Sequence, residues 1–186
     1  MWIFQYYRIV ALIQVGFYLF LICSSSIFAD DSDFSTIFAD YKKGNYDSVS
    51  RLAENHLSSS NTEKDPRIFF LYVSTESSWS KLKKNIPKSP DPQFLNSTQF
   101  WNAIYLFMER ALVFGENDLI VKWGKDFQKH AKQSPKYADG LYIYATSAYE
   151  LKNIEEAKRI LSQIEEQALS ENMKSMFQEL KYSLNK

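Results

Sequence analysis

Three very short turns, Gly44-Asn45, Gly115 to Asn117 and Lys152-Asn153, each join two runs in which apolar residues recur at i, i+3, i+4 and i+7. That recurrence marks one face of an α-helix, and a turn of two or three residues forces the second helix to fold back beside the first. The chain is therefore expected to be all-α and built of antiparallel helical hairpins. Phe34, Ile37, Phe38 and Tyr41 make the first stripe, which stops at Gly44, where a left-handed residue carries no Cβ penalty. Val49, Leu52, Ala53 and His56-Leu57 make the second, and Ser58 to Asn61 reads as a loop.

The punctuation further along extends the pattern. Asp65-Pro66 is an N-cap followed by proline at the first helical position, so a third helix is expected over Ile68 to Trp79. Pro87, Pro90 and Pro92 make about 81–98 a break, a surface loop with short helical pieces. Ser97 or Thr98 can cap a long helix with Trp101, Ile104, Tyr105, Met108, Ala111 and Leu112 on one face, ending at Gly115. Leu119, Ile120, Trp123 and Phe127 then form a stripe down to His130. Ser134-Pro135 repeats the cap-then-proline signal, before a face of Leu141, Tyr144, Ala145 and Ala148. Asn153 and Glu156 have capping-box spacing ahead of Ala157, Ile160, Leu161 and Ile164. Ser170 can cap a last helix with Met173, Phe177, Leu180 and Leu184 on one side and a mostly polar face opposite.

The front of the chain reads as an address. Met1 to Arg8 carries one positive charge, Ile9 to Cys23 is almost wholly apolar, and Ser24 to Ala29 softens into Asp30-Asp31. That is the order of a secretory signal peptide over residues 1–29, cleaved after Ala29, with residues 30–186 as the mature domain. Two other outcomes stay open: an uncleaved anchor, since Ile9 to Phe28 is close to a membrane-spanning length, and lipidation at Cys23, whose preceding residues resemble a bacterial lipoprotein box. All three imply export, to a periplasm or to the outside, with membrane attachment only through the N-terminal segment. Lys+Arg and Asp+Glu are both 22, so no net field concentrates the chain on nucleic acid, which is not expected as a partner. Cys23 is the only cysteine, so the mature domain has no disulfide.

The spacing of the turns carries a resemblance. Gly115 lies 71 residues after Gly44, and Lys152 lies 37 after Gly115. Helical hairpins with a period in the mid-thirties resemble the tetratricopeptide repeat family. Leu141, Tyr144, Ala145 and Tyr149 look like its first-helix signature, Ala157 like the small residue at the helix crossing, and Pro135 like the proline between repeats. Tyr41 to Asp47 is similar to the family's turn. The chain departs at Val49, where a small residue is usual, and at Tyr105 or Met108, where glycine or alanine is usual. The resemblance implies hairpins stacked as a short right-handed superhelix, with a polar last helix as cap and a concave face that holds a peptide. Tyr105, Glu109, Tyr142 and Tyr149 are the residues expected on that face, because tyrosine offers stiff contact area with a polar tip. Packing of those rings into the core is the plainer alternative.

Reactive constellations are sparse. His56 and His130 have no second histidine or cysteine at ligand spacing, so no metal is expected. No Gly-x-Ser-x-Gly turn and no glycine-rich phosphate loop occurs, so neither a hydrolase of that kind nor a cofactor is expected. Glu109 and Glu150 are candidate general acids, but such chemistry needs a paired or desolvated carboxylate, and the chain is not expected to be an enzyme. Asn96-Ser97-Thr98 matches a glycosylation acceptor, and reads more plainly as a loop leading to a helix cap. An exported scaffold for protein-protein interaction is the leading expectation, beside a helical envelope enzyme or accessory domain acting on glycans and a structural spacer.

Overall fold

The computed structural model describes residues 31–59 and 64–184. Among them are nine α-helices and no strand, so the all-α expectation holds. The helices are α1 Asp31–Lys42, α2 Tyr46–Ser58, α3 Pro66–Thr75, α4 Trp79–Asn85, α5 Thr98–Val113, α6 Asn117–His130, α7 Tyr137–Glu150, α8 Ile154–Leu161 and α9 Glu171–Ser183, with 3-10 turns at Pro92–Phe94 and Glu166–Ala168. The signal segment, the Cys23 alternative and the cleavage point after Ala29 lie outside the described residues.

The three short turns are one device. Asn45, Glu116 and Asn153 each donate their N–H to the carbonyl five residues back, on Asp40, Ala111 and Ala148, at 3.0, 2.9 and 2.9 Å. The residue before each is left-handed: Gly44 at φ 78°, Gly115 at 70° and Lys152 at 63°. A helix that ends in this bond pattern satisfies its orphan carbonyls and reverses the chain at once.

Packing follows chain order and then skips. α3 lies on α2 and α5, α5 on α6 and α7, α6 on α7, and α7 on α8 and α9. The odd-numbered helices α3, α5, α7 and α9 thus touch in series, with α2, α6 and α8 packed beside them. α5 and α7 are buried on nearly every side, which is why their sequences are apolar around the whole circumference. The aromatic core between them includes Phe100, Trp101, Phe107, Trp123, Phe127 and Tyr144, each at most 1% exposed. α6 and α7 cross closely because Gly124 receives the Tyr144 ring and Gly140 receives the Phe127 ring.

Two local expectations need correction. The third helix does not reach Trp79: it stops at Thr75, and Trp79 opens α4 under a Ser78 cap. Tertiary bonds make that break. The buried Glu76 carboxylate accepts from Ser50 Oγ at 2.7 Å and from the Ser78 N–H at 2.8 Å, while Arg110 of α5 donates to the carbonyls of Val73, Glu76 and Ser77. Ser134 does not cap α7, which begins at Tyr137; its hydroxyl donates to the buried Asn102 Oδ1 at 2.7 Å and accepts the Lys136 N–H. The segment at about 81–98 holds the expected short helical pieces and lies largely at the surface, held to the core by the buried Leu82, Ile86 and Phe94 and by Leu95 O, which takes the Trp101 indole N–H at 2.8 Å.

Ser170 stands at the N-cap position of α9 without a side-chain cap bond, while three other caps act as expected. Asp65 accepts the Arg67 N–H, Ser97 the Phe100 N–H and Asn153 the Glu156 N–H. Glu156 does not complete its capping box, because its carboxylate is taken by Tyr144 and Arg159.

Candidate binding face

Tyr105 and Glu109 stand one helical turn apart on α5, and the Tyr105 hydroxyl donates to Glu109 Oε1 at 2.5 Å. Tyr105 is otherwise buried and Glu109 half-buried. Burial pushes the Glu109 carboxyl above the usual carboxylate range; the Tyr105 hydrogen bond and the Lys136 ammonium pull it back, and the Asp139 carboxylate adds to the rise.

Lys136 and Asp139 come from the start of α7. The Lys136 ammonium lies 5.5 Å from the centre of the Tyr105 ring and 3.3 Å from Asp139 Oδ2. Asp139 is only 3% exposed, and its other oxygen accepts the Ser170 N–H at 2.9 Å, at the start of α9. Successive odd-numbered helices are therefore joined by one polar chain: Tyr105 and Glu109 on α5, Lys136 and Asp139 on α7, Ser170 at α9. A buried carboxylate needs such partners, since an unpaired one is strongly disfavoured.

Tyr142 and Tyr149 lie seven residues apart on one side of α7. Tyr142 is 6% exposed, and burial, with the Glu179 carboxylate of α9 nearby, pushes its hydroxyl up. Tyr149 is half-buried, with the Lys152 ammonium 5.7 Å from its ring centre. Of the four residues expected on a binding face, the structure bonds Tyr105 to Glu109 and sets Tyr142 and Tyr149 on the next odd-numbered helix. Tyr142 follows Tyr105 by 37 residues, the interval between Gly115 and Lys152, so the two occupy equivalent places in successive hairpins.

Lys136, Asp139 and Glu179 escaped the reading of the sequence. Asp139 had a signal: a lone charge just ahead of the apolar run Leu141 to Ala145, 37 residues after the buried Asn102. The Ser134-Pro135 signal lies just ahead of Lys136, which stands at the N-cap position of α7.

The remaining candidates sit elsewhere. His56 Nδ1 is 3.0 Å from Asp33 Oδ2, and His130 stacks on Trp101. Among the described residues no group of three or more His, Cys, Asp and Glu is placed to hold a metal ion, and no helix is long and apolar enough to cross a membrane. Glu150 is exposed, and Asn96 is exposed just before the Ser97 cap.

Comparison with protein-family models, with curated proteins and with solved structures finds no match to this chain.

Proposed function

We propose that the chain is an exported, tetratricopeptide-like interaction scaffold, and that the side formed by α5, α7 and α9 holds a peptide or protein segment. The observation that carries this reading is the serial contact of the odd-numbered helices, with Tyr105 and Tyr142 at equivalent places 37 residues apart. A hairpin that buries its apolar side only against its neighbours makes a stack, and a stack presents equivalent positions as a row. Glu109, Tyr149 and Lys136 are the half-buried members of that row. Tyr105 and Tyr142 are its floor, which gives them a packing role beside any contact with a ligand.

Phenylalanine is therefore the informative replacement at Tyr105 and Tyr142, and alanine at Tyr149. The combined variant keeps the packing, and it should lose capture of the partner that the wild-type protein enriches from the exported fraction. Equal enrichment by the variant rejects the surface. Intact mass of the exported protein checks cleavage after Ala29 against retention and against lipidation at Cys23.

Glu109 supports a second reading, a helical enzyme acting on glycans, because its carboxyl is desolvated and held by Tyr105. Such chemistry needs a second carboxylate free to act on the substrate, and Asp139 is committed to Lys136 and Ser170. Glu109→Gln separates the two readings: abolished glycan cleavage with intact partner capture favours the enzyme.

A further inference from the structure

Two consecutive apolar side chains are exposed at the end of α5. Val113 is 70% exposed and Phe114 57%, and both come immediately before the left-handed Gly115, at the tip of the hairpin formed by α5 and α6. The Phe114 ring lies flat on the half-buried Trp79, with 5.0 Å between centres and 6° between planes, and Trp79 in turn stacks on the buried Phe107 at 5.4 Å. Scattered exposed apolar residues are ordinary. Here they adjoin an aromatic stack fixed from below by the core, and a clustered apolar surface marks a place of contact.

Charge identifies the contact. Lysine plus arginine and aspartate plus glutamate are equal over the whole chain, yet the stretch between Glu76 and Asp91 holds Lys81, Lys83, Lys84 and Lys88 and no acid. All four lysines are exposed. Lys83 pairs with Glu116 at 2.6 Å, which sets α4 beside the turn and neutralises that carboxylate. Lys81, Lys84 and Lys88 form no ion pair among the described residues. Asp118, the other exposed acid near the turn, stands four residues before the exposed Lys122, at the spacing that offsets charge along a helix.

We infer that α4 and the turn after α5 form a surface that docks on an anionic bilayer, with Val113 and Phe114 entering the boundary below the headgroups and Lys81, Lys84 and Lys88 meeting the phosphates. Aliphatic and aromatic side chains beside lysines are the composition of an interfacial membrane contact, and each lysine near an anionic surface adds to the attraction. An acidic protein partner fits less well. Protein interfaces favour arginine and are poor in lysine, and no arginine lies between Arg67 and Arg110, whose guanidinium is committed to the end of α3. Phe114 follows Tyr105 by nine residues, about two and a half helical turns. The docking surface is therefore on the opposite side of α5 from the proposed peptide face, and the two readings fail separately.

Leu151 supplies the control. It holds the place of Phe114 in the next hairpin, 37 residues on, and is also exposed, but its neighbours Glu150 and Lys152 carry opposite charges. The test places a nitrobenzoxadiazole label on Val113→Cys in the exported protein, with Cys23→Ser if that residue is retained, so that insertion is read at the turn itself whether or not residues 1–29 remain. Vesicles of phosphatidylcholine and phosphatidylglycerol in equal parts should raise and blue-shift its emission saturably, less so as salt is added. Vesicles of phosphatidylcholine alone should not. Lys81→Gln, Lys84→Gln and Lys88→Gln together should weaken insertion about tenfold or more. Phe114→Ser should also weaken it, and Leu151→Ser should leave it unchanged. No change with the mixed vesicles, an equal change with phosphatidylcholine alone, undiminished insertion by the triple lysine variant, or a loss with Leu151→Ser as large as with Phe114→Ser each overturns the inference. A glutamate-rich peptide that produces the change where vesicles do not assigns the surface to an acidic protein and overturns docking on lipid.

Discussion

The Cβ that Gly124 lacks would overlap the root of the Tyr144 ring, so α6 can approach α7 only because position 124 carries no side chain. The contact has a counterpart in the other direction, where Gly140 of α7 faces the Phe127 ring of α6. The two differ in what would have to move. Alanine at 124 meets Tyr144 Cγ, only two bonds from Cα, in a side chain whose hydroxyl is also held by Glu156. Alanine at 140 meets Cε1 and Cζ, the far end of the Phe127 ring. Overpacking of this kind costs about 1–3 kcal/mol, against a gain of about 1 kcal/mol for replacing glycine in a helix. Gly124→Ala is expected to destabilise clearly, and Gly140→Ala by less. Urea unfolding of both variants checks the order, and equal losses would mean that the Tyr144 ring yields as easily as that of Phe127.

Position 115 isolates backbone conformation from packing, because a Cβ there has open space. Gly115→Ala should therefore lose about 1 kcal/mol from the left-handed angle alone. Lys152→Gly should shift stability the other way by about 0.5 kcal/mol, since relief of the same angle is partly offset by the greater freedom of glycine in the unfolded chain. Thermal melts of the two variants, with opposite signs of change, check that the turns are one device.

Arg110 closes the end of α3 from a different helix, with three carbonyls as acceptors. Arg110→Ala leaves those carbonyls without their charged donor and should cost about 1.5–3 kcal/mol. Arg110→Lys should recover little, because a single ammonium cannot span the fork that a guanidinium does. Loss of hydrogen-exchange protection confined to the last turn of α3 and the Ser77–Ser78 link is the local signature to look for.

Arg110 also shows why part of this fold was legible in the sequence and part was not. The stripes of α1, α2, α5 and α6 and the turns at Gly44, Gly115 and Lys152 depend on local spacing, so they could be read directly. The end of α3 depends on Ser50 and Arg110, which lie 26 and 34 residues from Glu76, and no local pattern encodes them. Ser134 departs from its local signal for the same reason: its hydroxyl is claimed by Asn102 across the core. The hold of the proline segment on the core did have a signal, the i, i+4 pair Leu82 and Ile86. At the candidate face the tyrosines stand out by type. Their partners Lys136 and Asp139 gain meaning only when α7 is laid against α5.

Two carboxyls should give this domain opposite responses to pH. Glu156 is bonded by Arg159 through both oxygens, and also by the Tyr144 hydroxyl, and the Arg159 bonds above all lower its pKa to about 2 from an ordinary 4.5. Its contribution is present above 4.5 and is lost as pH falls from 4.5 through about 2. Part of it is screened, because Arg159 is 48% exposed, so the loss is about 1–2 kcal/mol. Glu109 has a raised pKa, chiefly from burial. The folded state then holds a proton that the unfolded state has released, so stability falls as pH rises from 4.5 through that higher value. Glu109→Gln keeps an acceptor for Tyr105 and removes this term, so it should raise the melting temperature at neutral pH and leave it nearly unchanged below pH 4.5. Glu156→Gln should lower the melting temperature at neutral pH and converge on wild type in strong acid. Melting curves of the three proteins across that range check both signs, and a Glu109→Gln profile parallel to wild type would show that the Glu109 carboxyl is solvated rather than enclosed between α5 and α7.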